Sequence, residues 1–542
     1  MKLITVLRIG YYLLCLPAGW VFADARAASI PAGVQLDARQ EIVRQNMAEP
    51  ASLDPHKVES DVEFAIINDF FEPLIAIGDD GVIEPRLAIR WEQSHPTRWV
   101  FHLRPHLRWS NGDPITAGDV AASWRRLADP ATASPYASYL ANMQVEHAAD
   151  IADGRQPPSA LGVRALDDLR VEIRLRQPMA YFLQMLAHQV LVPVNTARIA
   201  KAGEKWAQPA TFVSSGPFTL QEWVVNEKLT GVRNRCYWDD GQTRIERVTY
   251  LPIVSETAAL NRYLAGEIDI VKTLPETQFA DLQKRYGGEM RITPLLGTYY
   301  YDINTRKPPF DDARVRLALN LGLDKDIIAE RIMGQGQSPA FLFSPPDIGG
   351  HRLQEPYYAR WTRQQRLDRA RELLAQAGFS TQRPLQFKLL YNTSETHRRL
   401  AIAASSMWKK NLGVEAILAH QEWKSMLDKA RTGDFAVVRS GWYADYNDPS
   451  TFLNNFRGGD SGNFAGYRSP AYDAALDSAA RAASTAAAAP FYQQAENTLA
   501  EDAPGIPVFH HVGVRLVKPH VGGFHETRLG FIATKDLYIM SH

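Results

Sequence analysis

Cysteine is almost absent: 542 residues contain two, Cys15 and Cys236. A chain with so few thiols has no disulfide framework and must be held together by its core. Charge of one sign is also lacking. The 60 basic and 60 acidic residues balance, so nothing marks a nucleic-acid or anionic-membrane partner. Long apolar runs are missing beyond the N-terminus; the best later stretch, 179–194, is interrupted by Gln184, His188 and Gln189. The usual catalytic patterns are missing as well. There is no G-x-S-x-G elbow, no H-E-x-x-H, no C-x-x-C and no P-loop. Gly334-Gln335-Gly336 follows a helical pattern rather than a strand, which excludes a dinucleotide fingerprint. His510-His511 are adjacent on a strand pattern and point to opposite faces, so a shared metal is disfavoured. These absences point to a binding protein with neither enzymatic chemistry nor a cofactor.

What is present begins with a leader. Lys2 and Arg8, the apolar run Ile9 to Phe22, and Ala25-Arg26-Ala27 form a secretory signal peptide, with cleavage expected after Ala27. Leu14 before Cys15 argues against a lipoprotein site. Cleavage would remove Lys2, Arg8, Asp24 and Arg26 from the 60 and 60, leaving a formal charge of −2 and the single thiol Cys236. The expectation is an exported, soluble protein.

Strand and helix patterns alternate along the rest. Trp99, Phe101 and Leu103 alternate with polar residues as a half-buried strand should. Asn111-Gly112 marks a turn, and Thr116-Ala117-Gly118-Asp119 is a capping-box variant opening a helix. The alanine-rich segment 474–489 is expected to be helical, with Pro490 starting the next helix. A more telling pattern occurs twice. NRYLAGEIDIV at 261–271 and DKARTGDFAVV at 428–438 are each a helix closed by glycine and followed by a buried strand. Two such units predict two α/β lobes.

From the second unit emerges RSGWYADYNDP, 439–449. It places Arg439, Asp445, Asp448 and three aromatics directly after a strand. A surface turn set by Asn447-Asp448-Pro449 is one explanation. A ligand loop at the carboxyl end of a strand, where open α/β sheets bind ligands, is the other.

Several ordered stretches carry a resemblance. They are SLDPHK, WVFHLRPHLRWSNGDPITAGDV, DPATASPYASYL, NRYLAGEIDI, TYYYDINTRKPPFDDARVRLAL, LLYNTSETHRRLAIAASSMWKKNLGV, GWYADYNDPSTFLN and RLVKPHVGG. Together they resemble the family 5 solute-binding proteins of peptide ABC importers across essentially the whole mature chain. The resemblance implies an α/β fold of the type II periplasmic-binding-protein class: two lobes joined by a hinge, plus an inserted lobe. Lobe I would comprise 28–71, 196–296 and 513–542, the inserted lobe II 72–195, and lobe III 297–512. It implies a monomer in the periplasm that encloses peptides of about two to five residues and hands them to an inner-membrane permease. A murein tripeptide on the same fold is the alternative ligand.

Site residues follow from the same resemblance. Asp445 matches the partner of the peptide ammonium, and Ser440, Gly441, Trp442 and Tyr443 match the segment that pairs with the peptide backbone. Glu59 and the backbone near Asp61 match the facing lobe. Tyr136, Tyr300, Trp423 and Trp442 match pocket aromatics, although by themselves they read as core. Arg439 and His397 match cations for the peptide carboxylate. A family lysine falls on Met333 and a family arginine on Ala430, next to Arg431. A cysteine pair of relatives falls on Gly297 and Tyr443.

Overall fold

The computed structural model describes residues 30–58, 60–78, 81–460 and 462–542. The leader with its expected cleavage site, and Glu59, lie outside the described residues.

An eleven-stranded mixed sheet forms the backbone of the molecule. Its order runs Glu415–Gln421, Gln386–Asn392, Val437–Tyr443, Met290–Ile303, Gly505–Val517, Ile270–Val271, Glu41–Asn46, Arg247–Pro252, Lys228–Arg233 and Phe218–Val224. The short strand Ser338–Pro339 adds to Gly505–Val517. Two long antiparallel strands, Met290–Ile303 and Gly505–Val517, join the two halves of this sheet. Their first section pairs Met290–Pro294 with Leu516–Val512. Their second, from Thr298 onward, lies between residues 505–510 and the strand Val437–Tyr443. Register breaks between Pro294 and Thr298, where a β-irregularity bends and twists the ribbon.

Each half has its own core. Ile42, Phe64, Ile67, Phe70, Val248 and Leu537 pack on one side of the break. Tyr299, Tyr301, Leu389, Trp408, Val437 and Phe509 pack on the other. A separate four-stranded antiparallel sheet, Ala88–His95, Arg98–Leu103, Arg170–Arg174 and Val163–Asp167, is backed by the helix Ala117–Ala128. Its core includes the fully buried Phe101 and Trp124. Burying side chains of this size contributes about 1.5–3 kcal/mol each.

Local chemistry explains the element ends. Thr116 Oγ1 accepts from Asp119 N, and Asp119 Oδ2 accepts from Thr116 N at 2.8 Å, so two otherwise orphaned donors at the helix start are satisfied. Both repeated units have the expected form. Helix Glu256–Leu264 is followed by Gly266 at φ +81° and strand Ile270–Val271. Helix Trp423–Thr432 is followed by Gly433 at φ +71° and strand Val437–Tyr443. The left-handed conformation at these two positions is one that glycine takes without strain.

One local expectation is corrected. Pro490 does not start a helix; the segment splits earlier into Pro470–Ala480 and Thr485–Asp502. Ser484 caps the second helix by accepting from Ala487 N at 3.2 Å, and Pro490 lies inside it. The Ser484 cap, together with burial of Tyr492, Ala495 and Leu499, sustains the helix past Pro490, its sixth residue, at the loss of one intrahelical hydrogen bond.

Candidate functional site

Alternation along Val437–Tyr443 divides the site. Arg439, Gly441 and Tyr443 share one face with Gly297 and Tyr299 of the paired strand. Ser440 and Trp442 share the other with Thr298 and Tyr300.

On the first face, Arg439 lies over the Tyr299 ring, 5.3 Å from its centroid, and its Nη1 is 3.4 Å from Asn392 Oδ1. Its Nε is buried without a hydrogen-bond partner. His397, near the start of helix Glu395–Leu412, stands 5.8 Å from Tyr299, and its Nδ1 is likewise buried and unpartnered. Burial, reinforced by the Arg439 charge, pushes His397 down to about 3. It is therefore a neutral imidazole at neutral pH, and Arg439 is the standing cation. His511 is pushed down to about 3 by burial first, then by Arg439 and the neighbouring His510 and His397, and stacks on Tyr443 at 4.7 Å. Its neighbour His510 turns away, with Nδ1 3.0 Å from Thr298 Oγ1. The adjacent histidines thus serve different surroundings, as strand alternation requires.

Tyr443 keeps 57% of its surface exposed, yet burial pushes its phenol up to about 12. The two facts agree if the ring lines a space enclosed by protein. The next influence on that phenol is the charge of Asp61, so the start of helix Asp61–Phe70 lies within electrostatic reach of Tyr443. Asp61 itself receives a hydrogen bond from Lys272 Nζ at 3.0 Å.

On the other face the strand leads to Asp445. Thr451 Oγ1 accepts from Trp442 Nε1 at 3.3 Å and from Asp445 N at 3.2 Å, which anchors the chain where it leaves the sheet. Burial alone pushes the Asp445 carboxyl up to about 7, and among the described residues no cation pairs with it. Asp445 and Trp442 line a cavity of about 710 Å³. Its opposite wall carries Tyr139, Gln144, Met179 and Tyr181 from the part of the chain that holds the four-stranded sheet. The two walls are tied together: Tyr181 stacks on Tyr446 at 5.8 Å and 3°, and Ala180 N donates to Ala480 O at 2.7 Å.

The remaining expected residues lie elsewhere in the neighbourhood. Ser440 is buried on the face it shares with Asp302, whose carboxyl, with Oδ2 buried and unpartnered, is pushed up to about 7 by burial. Tyr300, 4% exposed, packs edge-on against Phe343 at 5.4 Å and belongs to the core in this form. Tyr136 is half-buried, edge-on to Phe64 at 5.9 Å and 5.8 Å from Tyr139. Trp423, 47% exposed, begins helix Trp423–Thr432 and does not line the cavity. Met333 packs against the core that contains Tyr299 and Phe509. Ala430 is buried, whereas Arg431 lines the cavity. Tyr139, Tyr181, Tyr446 and Thr451 were not singled out as site residues from the sequence, and His511 was weighed only as a metal ligand. Tyr446 carried a signal inside the 439–449 stretch, and Tyr139 and Thr451 lie in stretches that carry the resemblance.

Comparison with known proteins agrees with this geometry. The family model "Bacterial extracellular solute-binding proteins, family 5 Middle" matches residues 82–464. The periplasmic oligopeptide-binding protein of Salmonella typhimurium is 46% identical over 520 residues, covering 96% of each chain. The solved oligopeptide-binding protein of Haemophilus influenzae in complex with RPPGFSPFR aligns with a TM-score of 0.79 at 41% identity, covering 94% of this chain and 100% of that one. An unliganded, open periplasmic murein tripeptide-binding protein aligns with a TM-score of 0.83 at 40% identity, covering 94% of this chain and 99% of that one.

Proposed function

Since the chain belongs to the family 5 bacterial extracellular solute-binding proteins, we propose that it captures short peptides in the periplasm and delivers them to an inner-membrane ABC permease. One observation carries this reading. Among the described residues, the cleft holds a buried carboxylate without a cation at Asp445, and a half-buried cation without an anion at Arg439. A free peptide supplies both missing charges. The extended strand Val437–Tyr443 accounts for four of the six steps from Arg439 to Asp445, about 13 Å at about 3.3 Å per residue, before the chain bends at Asp445. An extended peptide of about three to five residues spans that gap.

The chemistry is that of two buried ion pairs joined by a strand. Asp445 takes the ammonium, and Arg439, with His397 donating or becoming protonated, takes the carboxylate. Residues 440–443 pair with the peptide backbone, a contact blind to side chains and therefore broad in specificity. Asp61 belongs to the facing side, and Trp442 borders the side-chain space. Arriving ligand closes the two halves about the long strands, whose register break at Pro294–Thr298 is the hinge. The protein acts as a monomer, without a cofactor, and is not an enzyme.

A murein tripeptide is the second reading, favoured by the TM-score of 0.83 to a protein of that name. Mass spectrometry of ligand retained through purification tests both. Mixed peptides of three to five residues support oligopeptide capture; a single species containing diaminopimelate supports the murein reading; a retained ligand with no peptide character removes both.

A further inference from the structure

Two residues on the Asp445 side of the cavity are buried in the core of the opposite wall. Tyr446, next to Asp445, and Ala480, the last residue of helix Pro470–Ala480, belong to the apolar cluster of the unit built on the four-stranded sheet. Segment 179–181 of that unit receives them: the Tyr181 ring stacks on Tyr446, and Ala180 N donates to Ala480 O. A third contact lies nearby. The turn at Gly81 packs against Gly349, where a Cβ on Gly81 would lie 3.4 Å from Gly349 C, and Gly349 N donates to Asn447 Oδ1 at 2.6 Å. All three contacts converge on the ligand loop or on the helix beside it.

The platform under Tyr446 is fixed from below. Asp448 accepts from Ser450 N at 2.9 Å, from Ser450 Oγ at 2.6 Å and from Tyr492 OH at 2.7 Å. Tyr446 OH lies 3.1 Å from Ser450 Oγ. The Asn447-Asp448-Pro449 turn is therefore buried, and it ties the loop to helix Thr485–Asp502. A ring held this way can bear a contact from another unit without moving Asp445. The Asp445 charge also acts on the buried Tyr139 phenol across the cavity, so both walls enclose the same carboxyl. Parting the walls would expose two buried tyrosine rings, and it would open the cavity at Asp445.

We propose that Tyr181 is a positioning residue for ligand retention: stacked on Tyr446, it latches the unit built on the four-stranded sheet over the Asp445 end of the cleft and sets the rate at which bound ligand leaves. This inference rests on the peptide-binding reading above and is separate from bending of the long strands, since its contacts lie at the far side of the ligand loop. The latch acts on release and not on encounter, because the stack forms only after the walls meet.

Stopped-flow tryptophan fluorescence with Ala-Ala-Ala and the ligand-free protein of residues 28–542 tests it. Tyr181→Ala should release trialanine about tenfold faster than wild type, with association changed less than about twofold. Tyr181→Phe keeps the ring and should release at the wild-type rate. The double variant Ala180→Cys, Ala480→Cys puts two thiols across the same contact. Its disulfide, formed with trialanine bound, should slow release at least about tenfold until reductant is added. The same bridge added to Tyr181→Ala should restore slow release, which loss of a ligand contact or of stability would not allow. If Tyr181→Ala fails to fold, the bridged variant decides alone, since it keeps both rings. An unchanged release rate in folded Tyr181→Ala, a bridged protein that releases as fast as its reduced form, or thiols that do not pair under oxidant overturns the latch. Failure of trialanine to bind wild type overturns the peptide reading itself and this inference with it.

Discussion

Gly297 and Tyr443 face each other across the antiparallel pair, and a Cβ on Gly297 would lie 2.7 Å from Tyr443 Cδ1. The aromatic ring occupies the space that a side chain at 297 would need, so the two residues are coupled. Gly297→Ala should displace Tyr443 from its stack on His511 and, by overpacking, cost about 1–3 kcal/mol. Cross-strand neighbours have Cα atoms about 4.5–5.5 Å apart, within the range a disulfide spans. The double variant Gly297→Cys, Tyr443→Cys should therefore oxidise to a disulfide and leave Cys236 as the single titratable thiol of residues 28–542. Three free thiols after oxidation would contradict the pairing.

Asp445 should make ligand affinity depend on pH. The empty site holds its proton up to about 7, whereas a bound ammonium requires the carboxylate, so binding lowers the Asp445 pKa and expels the proton. Tripeptide affinity should fall by up to about tenfold per pH unit below 7 and level off above it. Stability of the empty protein runs the other way. A carboxyl protonated when folded and ionised when unfolded lowers stability as pH rises from about 4 to about 7. Asp302 contributes to stability with the same sign, so binding is the cleaner readout. Asp445→Asn should bind weakly and without the pH step; an unchanged step in that variant would assign it to another group.

Length preference should follow the cations. Arg439 stands beside Tyr299 and His397, whereas the resemblance puts Met333, packed here on the core, where relatives have a lysine, and a thioether offers a shorter peptide's carboxylate neither charge nor strong donor. Ala-Ala should bind about tenfold to a hundredfold more weakly than Ala-Ala-Ala, the worth of one charged hydrogen bond of about 1.5–3 kcal/mol. Met333→Lys should recover part of the loss for dipeptides, and Arg439→Met should weaken tripeptides most. Equal wild-type affinities for the two lengths would show that these positions do not read length.

Closure has its own contact. Glu276, beside the first half of the sheet, accepts from Thr396 Oγ1 at 2.8 Å and pairs with Arg399, both on the helix that carries His397. The pair is partly exposed, so its loss should cost only about 0.5–1 kcal/mol. Glu276→Gln should speed tripeptide release about two- to fivefold in stopped flow, with little change in thermal stability. An unchanged release rate would remove this contact from the closed state.

Legibility was uneven, for physical reasons. The Thr116 cap and the glycines at 266 and 433 were readable because each answers a need of its own backbone. The Ser484–Pro490 segment was misread because a proline near a helix start resembles one at the start. The long strands were not visible as a joint, since pairing between residues 290–303 and 505–517 leaves no local trace. In the site, the 439–449 stretch stood out by its charges and aromatics. Its other wall did not, because Tyr139, Met179 and Tyr181 look like core residues until another part of the chain leaves a cavity beside them. Tyr300 shows the converse: matched to a pocket by resemblance, it is packed into the core in this form.

The central claim, that Asp445 holds the peptide ammonium, is tested most directly by calorimetry of Ala-Ala-Ala and N-acetyl-Ala-Ala-Ala on the ligand-free mature protein near pH 7.5. Acetylation removes the positive charge and leaves Asp445 buried without a partner, at a cost of about 3–5 kcal/mol. Free trialanine should bind at least about a hundredfold tighter than its acetylated form. Asp445→Ala should erase most of that difference by weakening the free peptide. Equal binding of the two peptides by wild type would contradict the account.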